Sequence, residues 1–259
     1  MKRIAAFIVV ACILCPIAFA GIEEAKKLQK EKKYAEAEAE YRKALPELKG
    51  EKALEAQFQI GMMLKLQKKH EESIEEFRKV ESMDKVPIAL LTASIVEIGN
   101  SYSYQKKYDE ALTEYRKALP NLTGTPSAEI QFQIGDVLRL QKKFAEAIGE
   151  YQKVEKIEGV NPFVLARSVY YSGLCFSSIR KFDQAIETYR RLENMEKAPA
   201  SFKALSILNI ARYYESVKKN DEALAEYRKV ERIKGALGRH VEQAKARITY
   251  IENLAKPGE

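Results

Sequence analysis

Apolar residues recur along this chain at helix spacing. In KYDEALTEYRKAL, residues 107–119, Tyr108, Ala111, Tyr115 and Ala118 stand three, four and three positions apart. That spacing places them on one face of a helix, with charged residues on the other. Phe182, Ala185, Tyr189 and Leu192 repeat the pattern later in the chain. A second helical stripe precedes each such segment, for example Ile95, Ile98, Gly99 and Tyr102. The pair of stripes occurs six times, the second member starting at Lys33, Lys69, Lys107, Lys143, Lys181 and Lys219. One place in the first stripe is always small: Ala25, Gly61, Gly99, Gly135, Gly173 and Ala211. Gly inside a helix costs about 1 kcal/mol relative to Ala, so its recurrence predicts close approach of the paired helices. A hairpin buries part of each stripe, and stacked hairpins bury the rest.

The repetition has a longer period as well. QFQIGMMLKLQKK, residues 57–69, returns as QFQIGDVLRLQKK at 131–143, identical at ten of thirteen positions. Residues 32–46 and 106–120 match at twelve of fifteen. Both offsets are 74 residues, so the duplicated unit is a pair of hairpins. Pro46, Pro87, Pro120, Pro126, Pro162 and Pro199 mark the turns between hairpins, where Pro ends or starts helices. Residues 236–255 form one more amphipathic segment, with Val241, Ala244, Ile248 and Ile251 on one side, placed to cap the last hairpin.

The small residue, an aromatic nine positions on, Ala three after that, Tyr or Phe four further and then Ala or Val resemble the tetratricopeptide repeat. In the third copy these are Gly99, Tyr108, Ala111, Tyr115 and Ala118. The resemblance covers about residues 22–234 in six copies. It implies an all-α fold, a right-handed superhelical solenoid of about six hairpins. The expected organisation is a leader over 1–20, the repeat array over 21–234, and a capping helix and tail over 235–259. Three departures stand out. Gln57, Ile95, Gln131, Val169 and Ile207 replace the Trp often found in the first helix. The usual Pro after the second helix is missing. His70 and Asn220 replace the turn aromatic, which predicts looser turns there.

Composition supports helices. The chain has 259 residues, 46% hydrophobic and 31% charged, with no Trp. That is ample for a packed core. The net charge of +7 is spread over mixed Lys/Glu runs, which read as solvated helix faces and not as a nucleic-acid footprint. The N-terminus differs: MKR precedes an apolar stretch that ends in Ala18-Phe19-Ala20 before Gly21. This fits a secretory signal peptide cleaved after Ala20, which predicts a secreted or periplasmic protein with no membrane insertion after cleavage. An uncleaved N-terminal membrane anchor is the alternative, and VVAC ending at Cys12 resembles a lipobox. With Cys12 and Cys15 in the leader, only Cys175 remains, and no intramolecular disulfide is expected.

No catalytic, metal or cofactor motif is evident. His70 and His240 lie far apart in the repeats, and no Gly-rich phosphate loop occurs. The expectation is a non-enzyme with no cofactor. The resemblance implies binding on the concave face made by the first helices. Its candidate residues in the second copy are Phe58, Met62 and Lys65, and in the third Asn100 and Tyr104. The fourth contributes Phe132, Asp136 and Arg139, the fifth Tyr170 and Leu174, and the sixth Arg212. Repeat domains that grip a chaperone's C-terminal carboxylate use a Lys and Asn set; here Asn100 matches, but Val96 stands where the Lys would be. Two of the three differences between the duplicated phrases, Met62/Asp136 and Lys65/Arg139, fall on this face, while Met63/Val137 is expected to face the packing. Aromatic and aliphatic groups beside cations suit an extended or helical peptide with apolar anchors. Phe58 and Phe132 have a core reading too. The expected function is a protein–protein interaction scaffold in the bacterial envelope, monomeric or weakly oligomeric. The alternative is a self-associating spacer or oligomer subunit.

Overall fold

A computed structural model describes residues 18–254, and they form thirteen α-helices. The leader residues 1–17, with Cys12 and Cys15, and the tail beyond 254 lie outside the described residues. The chain divides into two compact units, one up to Leu122 and one from Thr123. The first holds α1 (residues 18–30), α2 (Tyr34–Ala44), α3 (Glu51–Leu66), α4 (His70–Glu81), α5 (Ile88–Tyr104) and α6 (Tyr108–Ala118). The second holds α7 (Gly124–Leu140), α8 (Phe144–Val154), α9 (Pro162–Ser178), α10 (Phe182–Asn194), α11 (Ala200–Ser216), α12 (Asn220–Glu231) and α13 (Gly238–Leu254). Within each unit consecutive helices pack on one another as stacked hairpins. The fold class is all-α, of the helical-solenoid type.

The apolar stripes account for the packing. Tyr41, Phe77, Tyr115, Tyr151, Tyr189 and Tyr227, one from each second helix, are all buried. In the four hairpins with Gly at the small position, the ring lies directly against that Gly. A Cβ on Gly99 would come within 2.2 Å of the Tyr115 ring, and one on Gly135 within 2.7 Å of the Tyr151 ring. The Gly is therefore a clearance for an aromatic ring, which is more specific than close helix approach.

Where the family motif has Trp, Gln57 and Gln131 do different work. Gln57 Nε2 donates to the Glu76 carboxylate and Gln131 Nε2 to Glu150, each bond tying the two helices of one hairpin. A buried polar pair takes the place of aromatic bulk. Glu76 in turn accepts from Arg42 of the preceding hairpin at 2.9 Å, and Glu114 accepts from Arg78 at 2.9 Å. In the second unit Arg190 grips Glu226 through two bonds of 2.8 and 2.5 Å. Burial pushes the pKa of these three carboxyls up, but the Arg and Lys hydrogen bonds outweigh it and hold all three below the usual carboxylate range. Between the fourth and fifth hairpins the corresponding places hold Gln152 and Thr188. Both charges are lost together, and Arg191 reaches Glu155 at 2.5 Å instead.

Each hairpin turn closes the same way. Lys32, Lys68, Lys106, Lys142, Arg180 and Lys218 sit at positive φ of 60–65°. The next residue's N–H returns to a carbonyl in the last turn of the first helix, as Lys69 to Leu64 at 3.0 Å. A side chain in that region costs about 1–2 kcal/mol, and a cation near the last carbonyls recovers about 0.3–1 kcal/mol of it.

The six prolines between hairpins lie at helix starts or in short 3₁₀ turns. Pro46 and Pro120 occupy equivalent 3₁₀ turns of the duplicated segments, and Pro126 falls in the first turn of α7, where its missing N–H is tolerated. At the C-terminus α13 packs on α11 and α12, with Ala244 and Ile251 buried and Ile248 partly so. At the other end α1 continues through Ala20 and Gly21, so the expected cleavage point lies within the helix, and Ala18 is buried. No described helix is long and apolar enough to cross a membrane.

Candidate functional site

The first helices α3 and α5 carry the candidate residues of the first unit. Phe58 is half-buried, its ring 5.2 Å from that of Phe77, and Met62 packs with the same cluster. Lys65 is paired with Glu97 of the next first helix. Asn100 accepts a hydrogen bond from the Tyr115 hydroxyl at 3.2 Å. Tyr104 is 71% exposed, and its ring stacks on His70 at 5.8 Å. His70 thus keeps an aromatic contact at its turn.

In the second unit the same positions are occupied differently. Phe132 is only 4% exposed. The Arg167 guanidinium lies 3.8 Å from its ring centre, and the rings of Tyr151 and Tyr171 lie at 5.4 and 5.5 Å. The expectation of Phe132 as a surface anchor therefore gives way to its core reading. Asp136 accepts from Arg139 at 2.6 and 2.8 Å, and Arg139 lies over the Tyr171 ring at 5.1 Å. Tyr170 is half-buried against Tyr171 and Phe202 and accepts from Asn209 at 3.3 Å. Leu174 packs against the buried cluster of Ala185, Tyr189 and Ile210. Arg212 is exposed and donates to Asn209 Oδ1 at 3.2 Å.

The two coupled differences in the duplicated phrases now have a cause. Lys65 meets Glu97 in the following hairpin, whereas Arg139 meets Tyr171 at the equivalent place and is held there by Asp136. Each variant suits its own neighbour, so both tie adjacent repeats together. Met63 and Val137 are buried, as the pattern requires.

What is left to solvent is the last-turn position of the candidate Tyr104, shared by one residue in each of the neighbouring repeats. Leu66 and Leu140 are each 43% exposed at the register position of Tyr104, the last turn of the first helix. The resemblance had placed Tyr104 on the binding face, but which last-turn residues stay uncovered could not be read from it.

The remaining chemistry is sparse. Among the described residues no group of three or more His, Cys, Asp or Glu could hold a metal ion. Burial pushes the Cys175 thiol up to about 11, so little thiolate exists near neutral pH. Beside Arg212, a hollow of about 410 Å³ is lined by Arg212, Glu215, Ser216, Tyr227 and Arg247. Glu215 is taken up within it, accepting from Arg247 and, at 2.8 Å, from the Tyr227 hydroxyl.

Comparison with known proteins agrees with this architecture. Two family models described as tetratricopeptide repeat match residues 54–87 and 96–159. No curated protein matches the sequence. Among solved structures, the C-terminal part of a repeat-containing protein from Cytophaga hutchinsonii superposes with a TM-score of 0.63 at 12% identity, over 93% of this chain and 95% of that one. For pilF of Pseudomonas aeruginosa the TM-score is 0.55 at 17% identity, over 90% and 98%. The Rap conjugation gene regulator of plasmid pLS20, in complex with the Phr* peptide, gives 0.52 at 16% identity, over 94% and 76%. At these identities the likeness is one of fold.

Proposed function

Because the chain is a tetratricopeptide-repeat protein, whose fold supports a protein–protein interaction scaffold, we propose that it is an exported adaptor of the bacterial envelope. It is non-catalytic and holds a segment of a partner protein against the exposed last turns of its first helices. The observation that carries this reading is made in each unit by itself: Leu66 and Tyr104 in the first and Leu140 in the second are exposed at the same register position, the last turn of a first helix. Apolar side chains left out of a well-filled core at matching positions suit a partner's apolar anchors. Half-buried Phe58 and Met62 extend that surface in the first unit. The likeness to a regulator that holds a peptide supports the same use of the fold. Export rests on the basic, apolar and small-residue pattern of residues 1–20.

The test is a crosslinking pull-down from envelopes of the native host, comparing wild type with the triple variant Leu66→Glu, Tyr104→Glu, Leu140→Glu. All three residues are exposed, so the variant should keep its helix content and unfolding midpoint. Wild type is expected to retain one defined partner that the variant loses. An unchanged partner set, or self-crosslinks with a mass that rises with concentration in light scattering, contradicts the adaptor reading and favours a self-associating spacer.

A further inference from the structure

We propose that the hollow between α11, α12 and α13 is a carboxylate-binding site, in which Arg212 takes a carboxylate of the bound partner. The proposal rests on the reading of the first-helix face as the binding face, and it specifies one feature of the partner.

Charge matching is the first argument. The other arginines placed on or beside this face in the second unit have carboxylates of their own: Arg139 has Asp136, Arg167 has Glu129 and Arg247 has Glu215. Arg212 has none among the described residues, and its one hydrogen bond goes to the neutral side chain of Asn209. Glu215, in the same hollow, does not supply the missing charge. One of its oxygens pairs with Arg247, and the other already accepts from both Tyr227 and Arg247. The hollow therefore contains two guanidiniums and one carboxylate, which leaves one positive charge unmatched.

Shape and donor type are the second argument. The hollow opens beside the last turn of α11, which continues the register of the exposed first-helix positions. Its volume of about 410 Å³ is ample for a carboxyl group and the residue that bears it. A guanidinium presents parallel N–H donors that match a carboxylate in a two-bond fork. The neighbouring Arg247 adds attraction; Ser216 takes no part, because its hydroxyl already donates to the Tyr213 carbonyl at 2.7 Å. A dianionic phosphate fits less well, because Glu215 would repel its second charge. The site lies in the last hairpin and the helix packed on it, remote in sequence from Asn100 and Val96.

A carboxylate can come from a chain terminus or from an Asp or Glu side chain. Three pools of bead-displayed random decapeptides separate these sources: acid-free with free C-termini, acid-free and amidated, and amidated with Asp and Glu allowed. Fluorescently labelled full chain is applied as wild type and as Arg212→Gln. At least tenfold more wild type is expected on one carboxylate-bearing pool than on the acid-free amidated pool, and Arg212→Gln should abolish that preference. Preference for free termini identifies a chain end, and preference for the acidic pool identifies side chains. Equal retention on all three pools, or a preference that survives Arg212→Gln, overturns the carboxylate site while peptide binding stands. No retention on any pool overturns both readings.

Discussion

Replacing Tyr115 with Ala is expected to destabilise the chain by about 3–5 kcal/mol, the range for deleting a large buried aromatic side chain. Tyr115 is fully buried, its ring fills the clearance left by Gly99, and its hydroxyl donates to Asn100. Removing the ring leaves a void between α5 and α6 that two helices anchored by other contacts cannot close. Tyr115→Phe keeps the ring and forfeits one hydrogen bond, so it should cost only about 1 kcal/mol. Urea midpoints measure both. A midpoint for Tyr115→Ala near that of wild type would falsify the ring-under-glycine account of the hairpin.

Arg190→Gln should cost about 2 kcal/mol, and adding Glu226→Thr should recover most of that loss. Removing one partner of a buried ion pair typically costs about 3–5 kcal/mol, because the remaining charge is buried without compensation. Glu226 is buried, but Lys229 stays 3.0 Å away, which moves the expectation below that range. The double variant reproduces the Gln152 and Thr188 that the chain itself places one interface earlier. If charge pairing is the cause, the two substitutions are strongly non-additive in a double-mutant cycle. Additive losses would mean that each side chain packs for its own reasons and that the ladder from Arg190 to Glu226 adds no coupling.

The sequence was most legible where one residue type meets one geometric demand. The six hairpins and the burial of Tyr115 follow from helix period, which acts within a single repeat, whereas the seating of its ring against Gly99 is more specific than the close helix approach that the small position predicts. Legibility fell where a side chain's surroundings depend on the next repeat. Phe58 and Phe132 stand in nearly identical phrases, yet Phe132 is buried and Phe58 is not. Arg167 and Tyr171 lie against Phe132, whereas the equivalent residues in the third hairpin are Ala93, too short to cover Phe58, and Glu97, which pairs with Lys65. Lys65 and Arg139 read as free groove cations for the same reason, since Glu97 and Tyr171 engage them from the following helix. Gln57 and Gln131 looked like losses of the motif's Trp, and only their contact with Glu76 and Glu150 shows what replaced it.

The most direct test of the central claim is amide hydrogen exchange on the full chain, with and without the partner segment recovered by crosslinking. Binding to the first helices of each unit predicts new protection in the last turns of α3 and α5 in the first unit, around Leu66 and Tyr104, and of α7 in the second, around Leu140, with α4, α6 and α8 unchanged. Protection confined to those second helices, or to α13, would contradict a binding face built from the first helices of the repeats.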